Sequence, residues 1–462
     1  MSDSDQEDFP SMVGQSYHDE SLRPPPESGD GESATRTLID NAAYMMDTRN
    51  HTSAQCPVVK KAGRDGARGK QDLLQVTFCL APPPHISYFC VSYGSGEPTQ
   101  FGYEPRILAT EGNLAVRSNY LNFVYRAPVL AHELPSLRRL PHPGTDVFPD
   151  ITEGYLPHGE VGILRYRARS DEHYDAYMIA TLCSRSGSGR TTQYDLCTYD
   201  SEADAWTRTP TAFSPPQEAP LQHTCERVIT IGGKMGWVDL WRGMILCDVH
   251  VVPAGEEDES PGPRPLCYIP LPEPMQPHND LRLFGFSSFF RDIAVVDGRI
   301  KFVDLQLHAS PGSLTPNRWT AVTWSMAAGD SGFREDMVLN SGDIINNALQ
   351  TSLFVAHPKL SSHDDDLLYL MTKVSLDDRV ACVIAVDMRK KKVQRMVKFT
   401  IQREACTDFA YIRTTISNYL SPDSQGKTKR GGPPLQEPSR KKPREDLPPM
   451  ADDDDRDGMD LD

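Results

Sequence analysis

A short strand-like string recurs along this chain at nearly constant spacing and constrains its fold more than any other feature. It occurs as LRRLP from residue 137, WTRTP from 206, LCYIP from 266, FREDM from 333 and VQRMV from 393. Subtracting successive starting positions gives intervals of 69, 60, 67 and 60 residues. A unit of a few strands cannot bury its own faces, so units repeated at one period must stack on their neighbours. We therefore predict an all-β fold of repeated antiparallel sheet modules that is β-propeller-like.

The repeat is longer than the roughly 40 to 50 residues of WD or kelch blades, so inserted loops must account for the difference. The segment 38–125 contains LLQVTFCLA, HISYFCVSY and LNFVYRA. These strand-like strings predict one or more further modules. The alternative is an irregular β-sandwich in which the spacing is a coincidence.

Two hairpins are indicated in the middle of the chain. RDIAVVDGRIKFVDL contains Asp297-Gly298, a pair that favours the positive-φ turn matching strand twist. GWVDLWRGMILCDV predicts a second hairpin, with Arg242-Gly243 as the turn. Both have apolar residues on both faces, which is typical of strands packed between two layers.

The second hairpin also contains a candidate binding motif, Trp237, Asp239 and Trp241. Two aromatic faces with a carboxylate between them could stack a sugar or a base. The interpretation that we favour is packing between layers, with Asp239 accepting hydrogen bonds from an indole or a neighbouring strand, because a buried carboxylate needs partners.

Composition divides the chain into three parts. Residues 1–36 are acidic and rich in proline and glycine, which predicts a disordered arm. Residues 37–420 form the predicted propeller-like domain. Residues 421–462 have almost no apolar periodicity and predict a disordered tail, with a basic and then an acidic cluster.

The basic cluster of that tail matches a bipartite nuclear-import signal, which requires an accessible and flexible segment. Its residues are Lys429, Arg430, Lys441, Lys442 and Arg444. We predict recognition by a nuclear-import receptor and a location in the nucleus, the cytoplasm or both. The alternative is a solubilising tail, since ADDDDRDGMDLD follows directly.

Net charge and hydropathy limit the kinds of partner and the compartments that we expect for this protein. The formal net charge of −16 disfavours general binding to nucleic acid. A signal peptide and an apolar run of 18 residues are both missing from the sequence, so we expect a soluble intracellular protein without membrane association. The ten cysteines contain no CxxC pair, and we expect them to be reduced core residues.

Local motifs for chemistry are weak. SHDDD at 362–366 fits no EF-hand spacing, SRSGSGR at 184–190 lacks the P-loop pattern, and KKAGRDGARGK at 60–70 is typical of a solvated basic loop. The sequence has no GxSxG elbow and no HExxH helix. We predict no catalytic, cofactor or metal residues from motifs, although catalytic residues can assemble from distant positions.

The strings GWVDLWRGMILCDV, RPLCYIPLP and RDIAVVDGRIKFVDL closely resemble the signature of a plant family abundant in grasses, domain of unknown function 1618. TLIDNAAYMMDTRNHTSA, HISYFCVSY and ILATEGNLAV resemble its amino-terminal part. The resemblance covers most of 38–420 and is most specific over 236–305. Its signature residues here are Trp237, Asp239, Trp241, Gly243, Asp297 and Gly298.

The resemblance implies no catalytic residues. The family's strand rhythm is similar to that of propeller-like domains attached to F-box motifs in plants, but no F-box precedes the repeats here. We therefore predict a non-enzymatic scaffold whose loops bind another protein. Two alternatives stay open: a carbohydrate- or ester-processing enzyme with acids such as Asp239 or Asp248 in a channel, and a nucleic-acid-associated regulator that uses the basic loop and tail.

Overall fold

The computed structural model describes a set of segments between residues 37 and 420. They are 37–59, 71–94, 105–112, 114–119, 121–129, 132–148, 156, 160–167, 175–185, 192–216, 219–250, 262–273, 287–309, 316–327, 329–330, 332–344, 354–361, 364, 366–373, 380–400 and 411–420. The chain divides into two units, 1–426 and 427–462, and every described residue lies in the first. The predicted arm and tail are outside the described residues.

The described segments are almost entirely β-structure. They contain 25 strands and two four-residue helices, α1 (Gly144–Val147) and α2 (Ser417–Leu420). Three-residue 3-10 turns lie at Ser287–Phe289 and Ser341–Asp343. The predicted all-β class is confirmed.

The strands form six sheet modules, and the first module joins the two ends of the domain. It consists of β1 (Thr37–Asp40), β2 (Ala54–Val59), β3 (Gln71–Cys79), β4 (Ile86–Tyr93) and β25 (Tyr411–Thr414). Its spatial order is β2-β3-β4-β1-β25. Strand β1 pairs parallel with β4 and antiparallel with β25, so hydrogen bonds join the first and last strands described.

Modules 2 to 6 are alike: four strands each, antiparallel, in spatial order that follows the chain. Module 2 is β5 (Arg106–Glu111), β6 (Leu114–Asn119), β7 (Leu121–Arg126) and β8 (Ser136–Arg139); module 3 is β9 (Gly162–Arg167), β10 (Asp175–Arg185), β11 (Gln193–Asp200) and β12 (Ala205–Phe213); module 4 is β13 (Arg227–Ile231), β14 (Lys234–Asp239), β15 (Gly243–Asp248) and β16 (Arg264–Pro270); module 5 is β17 (Arg291–Val296), β18 (Arg299–Ala309), β19 (Pro316–Ala327) and β20 (Arg334–Asn340); module 6 is β21 (Phe354–Leu360), β22 (Leu367–Lys373), β23 (Val380–Asp387) and β24 (Lys392–Thr400).

The five recurring strings occupy equivalent places. They lie in or directly before β8, β12, β16, β20 and β24, the fourth strands of modules 2 to 6. The spacing therefore marks one complete module each time. The prediction of repeated antiparallel modules is confirmed, and the sandwich alternative is wrong.

Buried apolar clusters connect the six modules in a closed cycle. Members from the two sides of each interface, in chain order, are Leu74 and Phe123 (modules 1 and 2), Val124 and Tyr177 (2 and 3), Met178 and Trp237 (3 and 4), Val238 and Ile300 (4 and 5), Val303 and Leu370 (5 and 6), and Met371 and Leu38 (6 and 1). Adjacent residues such as Trp237 and Val238 serve different interfaces because successive side chains of a strand point to opposite faces. Both faces of a module are thus buried, which explains the continuous apolar runs.

Modules 3 and 4 are joined by backbone as well as by side chains. Residues Thr211–Phe213 of β12 pair in parallel with Arg264–Leu266 of β16. The two modules consequently share one eight-stranded sheet.

The first predicted hairpin is confirmed. Strands β17 and β18 pair antiparallel around Asp297 and Gly298, whose φ angles are 48° and 74°. Both angles lie in the left-handed region that two-residue hairpin turns require.

The predicted turn of the second hairpin is wrong. Asp239 pairs with Gly243, so the turn is formed by residues 240–242 and Trp241 does not share a strand with Trp237. The Asp239 carboxylate accepts a hydrogen bond from the Trp241 backbone N–H at 3.0 Å and thereby stabilises the longer turn. Gly243 begins the return strand, where a Cβ would lie 2.7 Å from the Ile269 carbonyl oxygen.

Within the described segments, no helix is both long and apolar enough to cross a membrane.

If closure of the cycle stabilises the domain, shortening a buried side chain in the interface between modules 6 and 1 should lower the free energy of unfolding. Leu38 in β1 is 1% exposed. We expect Leu38→Ala to lower the free energy of unfolding by about 2–5 kcal/mol, because it deletes buried contacts and leaves a cavity. Leu73→Ala, in β3 of the same module but 44% exposed, is the matched control and should change it by no more than about 0.5 kcal/mol. Urea unfolding measures both, and equal losses would contradict the expectation.

Candidate functional site

Three basic side chains and one carboxylate, from edge strands of four modules, meet in one place. We call Arg227, Asp292, Lys359 and Arg413 the Asp292 cluster; they lie in β13, β17, β21 and β25. Asp292 is contacted by Arg227 Nη1 at 2.9 Å, Lys359 Nζ at 3.5 Å and Arg413 Nη2 at 3.1 Å. One anion therefore holds together parts of modules 4, 5, 6 and 1.

The cluster is deeply buried. The side chains of Asp292 and Lys359 are 0% exposed, and those of Arg413 and Arg227 are 13% and 18% exposed. Buried ions are tolerated only with close partners and satisfied hydrogen bonds. Three cations around one carboxylate leave a formal excess of two positive charges here.

Arg413 fastens the last strand to two other modules. Its Nη1 donates to the Leu360 carbonyl at 2.7 Å and its Nη2 to the Ile293 carbonyl at 2.8 Å. The Leu360 N–H donates to the Asp292 carboxylate at 3.3 Å. The arginine thus binds both backbone and carboxylate where the cycle closes.

A bulge in β21 brings Lys359 into the cluster. Ala356 pairs with Met371 and Lys359 with Tyr369, so two residues on β21 face one on β22. His357 within the bulge has φ 53°. Positive φ is uncommon outside glycine, and bulges commonly redirect a side chain at a functional site.

Burial and repulsion lower the pKa values of the two basic groups at the bulge, Lys359 and His357. Desolvation, with repulsion from Arg227 and Arg413, lowers the pKa of Lys359 to about 7 against the opposing attraction of Asp292. Burial and then repulsion from Lys359 lower the pKa of His357 to about 3, so its imidazole is neutral. Because guanidinium groups do not lose their protons, lysine is the member that can release one.

Asp292 remains ionised. Burial raises the pKa of its carboxyl group, but Arg413, Lys359 and Arg227 outweigh burial and hold it below the ordinary value. Asp292 is therefore the negatively charged member of a cluster whose other three members are basic.

A second buried network is centred on Arg291, next to Asp292 in β17, and contains the signature residue Trp241. Arg291 binds Asp304 through two bonds, Nε to Oδ1 at 3.2 Å and Nη2 to Oδ2 at 3.0 Å, and its Nη1 donates to the Leu240 carbonyl at 3.0 Å. Its guanidinium carbon lies 5.0 Å from the Trp241 ring centroid and 5.3 Å from that of Phe302. This arginine joins the β14–β15 turn to module 5.

Asp239 has three hydrogen-bond donors. Besides the Trp241 N–H, it accepts from the Thr224 N–H at 3.0 Å and from Arg242 Nη1 at 2.9 Å. Its side chain is 1% exposed. Trp237 is also 1% exposed, and its Nε1 donates to the Glu160 carbonyl at 2.8 Å. The two tryptophans are therefore separated between a strand face and a turn, and they form no shared aromatic surface.

The remaining sequence candidates are dispersed. In SHDDD, Arg389 Nη2 donates to Asp366 at 3.0 Å, while Asp364 accepts the Asp366 N–H at 3.0 Å, as in a polar turn. The basic loop 60–70 and all five import-signal residues lie outside the described residues. In the described part of the chain, no group of three or more His, Cys, Asp or Glu is placed to hold a metal ion.

The sequence analysis did not identify the Asp292 cluster. A signal for it exists, because each of the four charged residues lies in a short strand of mostly uncharged residues, as in RDIAVV and YIRT. Only the order of the modules shows that such separate charges converge.

Comparison with known families gives one match. Residues 237–369 match the family described as Protein of unknown function (DUF1618). The matched region runs from Trp237 to Tyr369 and includes Asp292, Lys359 and the Arg291 network. No curated protein matches the chain.

The excess charge of the cluster predicts opposite effects for two isosteric changes. Lys359→Met removes a cation that burial disfavours while Arg227 and Arg413 still compensate Asp292, so it should leave stability at pH 6 unchanged or raise it. Asp292→Asn leaves three cations without their anion and should cost about 3–5 kcal/mol.

The pH dependence has a definite sign. The pKa of Lys359 is about 7 in the folded chain and has its ordinary value of 10.5 in the unfolded chain. The unfolded chain binds more protons between these values, so this group makes stability rise with pH in that window. The advantage of Lys359→Met should therefore shrink as the pH is raised from 7 towards 10. Denaturant unfolding across this range measures it, and a constant difference would contradict the lowered pKa.

Proposed function

This chain is a DUF1618 family protein, and we propose that it is a non-enzymatic protein-interaction scaffold. Its plant origin and its entry into the nucleus are parts of the same proposal. Each module uses both faces for packing against its neighbours. The surfaces left for a partner are then the connecting segments and the outer strands.

One connecting segment carries the proposal. Between β7 and β8, Val129 and Leu134 are 48% and 85% exposed. A hydrogen bond joins the described residues on its two sides, since the Val129 N–H donates to the Glu133 carboxylate at 2.8 Å. Exposed aliphatic side chains suit a protein partner better than a soluble metabolite.

The positions of Asp239 and Asp248, the acids named for the enzyme alternative, argue against it. Asp239 pairs with Gly243, and Asp248 pairs with Lys234, five residues away along β14. At roughly 3.4 Å per residue the two acids are about 17 Å apart, whereas glycosidase carboxyl pairs lie about 5 to 9.5 Å apart. Asp239 is also fully engaged by its three donors.

The nucleic-acid alternative depends on the basic loop 60–70 and the tail, and no contact among the described residues favours it. The net charge of −16 also opposes it. We retain it as an outcome that a salt-dependent loss of binding would support.

Affinity capture from plant tissue tests the scaffold. The double variant Val129→Ser, Leu134→Ser should retain at least tenfold less of a reproducible partner than the wild type, because removing two apolar anchors costs more than about 1.4 kcal/mol of binding. Leu221→Ser, a change at another site that is 72% exposed, is the matched control and should retain the partner. Failure to recover any reproducible partner would count against the scaffold, and equal retention by all variants would exclude this segment.

Nuclear import is tested separately. Replacing Lys441, Lys442 and Arg444 by alanine in a fluorescent fusion should lower the nuclear fraction, because the import receptor recognises the basic cluster. Replacing Asp452, Asp453 and Asp454 by alanine is the control and should preserve it. An unchanged distribution in the first variant would remove the import claim.

A further inference from the structure

Two cysteine thiols lie against each other in module 3. Cys183 is in β10 and Cys197 in the neighbouring strand β11. Cys183 pairs with Asp195 and Cys197 with Thr181, so the cysteines are diagonal neighbours on one face. Their Sγ atoms are 3.0 Å apart.

The two thiols form a short donor chain. Cys183 donates to Cys197 Sγ, and Cys197 donates to the Val147 carbonyl at 3.5 Å. Arg208 Nη1 donates to the same carbonyl at 3.3 Å. Cys183 is half-buried whereas Cys197 is fully buried, so an oxidant from solution meets Cys183 first.

We propose that Cys183 and Cys197 are an oxidation site that forms an intramolecular disulfide. A disulfide bond is about 2.05 Å long, so the sulfur atoms need to approach by only about 1 Å. The pair already shares a strand register and a face, and rotation about the side-chain bonds can supply that movement.

The chemistry balances with hydrogen peroxide as the oxidant. The Cys183 thiolate attacks one peroxide oxygen, the O–O bond breaks, and the products are a sulfenic acid and hydroxide, which takes up the thiol proton to give water. The sulfur of Cys197 then attacks that of Cys183, losing its proton as the S–O bond breaks and a second water leaves. In total, two thiols lose two hydrogen atoms and one peroxide becomes two waters.

The surroundings of Cys183 set the rate at which it is oxidised. The hydrogen bond to Cys197 and then burial raise the pKa of Cys183, while the Arg208 guanidinium opposes the rise. Because the thiolate is the reactive form, oxidation should be slow and should need sustained exposure to peroxide. A second diagonal pair, Cys79 and Cys90 in module 1, is 8% and 1% exposed, and the hydrogen bond with Cys90 lowers the pKa of Cys79. Comparison of the two pairs therefore tests whether access to the oxidant outweighs thiolate content.

Formation of the bond would act on a connection between modules. Cys197 packs in the apolar cluster that also holds Val147 and Phe148, which lie at the end of α1 in the connection between β8 and β9. Oxidation removes the Cys197 S–H donor from the Val147 carbonyl, leaving Arg208 as its donor. The modified state should therefore differ locally at α1.

Peptide mass spectrometry of the full-length chain tests the proposal. Exposed Cys267 is first replaced by serine to prevent links between molecules. After peroxide treatment, free thiols are alkylated in denaturant and the chain is cut with trypsin, which separates Cys183 in 170–185 from Cys197 in 191–208. We expect a linked pair lighter than the two thiol peptides by two hydrogen atoms, abolished by dithiothreitol and formed before any link between Cys79 and Cys90.

Three results would overturn the proposal: both cysteines recovered as alkylated thiols, Cys183 converted to sulfinic acid without a link, or the Cys79–Cys90 link formed first. These measurements use a chain that retains both cysteines, so the test does not require a Cys183 variant to fold. Cys183→Ser is a second check, and it should abolish the linked pair.

Discussion

The domain depends on a mutual requirement: every sheet module needs a neighbour on each of its two faces. Trp237 and Val238 illustrate the reason, since adjacent residues of one strand are buried in different interfaces. A linear stack would leave an apolar face open at each end. Pairing of β1 with β25 and the cluster containing Leu38 and Met371 remove those two open faces.

Closure of the cycle also explains why charged side chains can be buried in β13, β17, β21 and β25. Arg413 comes from the strand that completes module 1, its partner Asp292 from module 5, and Lys359, which also pairs with Asp292, from module 6. The cluster forms only when these distant segments are together, so it distinguishes the closed arrangement from other packings of the same strands. Its excess positive charge opposes stability and leaves one lysine proton weakly held.

Much of the fold could be predicted from the sequence because its signals are local. The recurring fourth strand, the Asp297-Gly298 turn and the two-faced apolar runs all follow from strand geometry and turn chemistry. The β14–β15 turn was predicted wrongly because a side-chain carboxylate, Asp239, extends it by capping the Trp241 N–H. The bulge at His357 and the convergence of four isolated charges depend on contacts across the domain, which no local pattern encodes.

The parallel pairing of β12 with β16 has a mechanical consequence. Elsewhere in the described domain, neighbouring modules are held mostly by interdigitated side chains, which can slide by small shear movements. Across the boundary between modules 3 and 4 the backbone itself is continuous in hydrogen bonding. These two modules should therefore respond to load as one stiff plate, and elastic deformation of the domain should concentrate at its other joints.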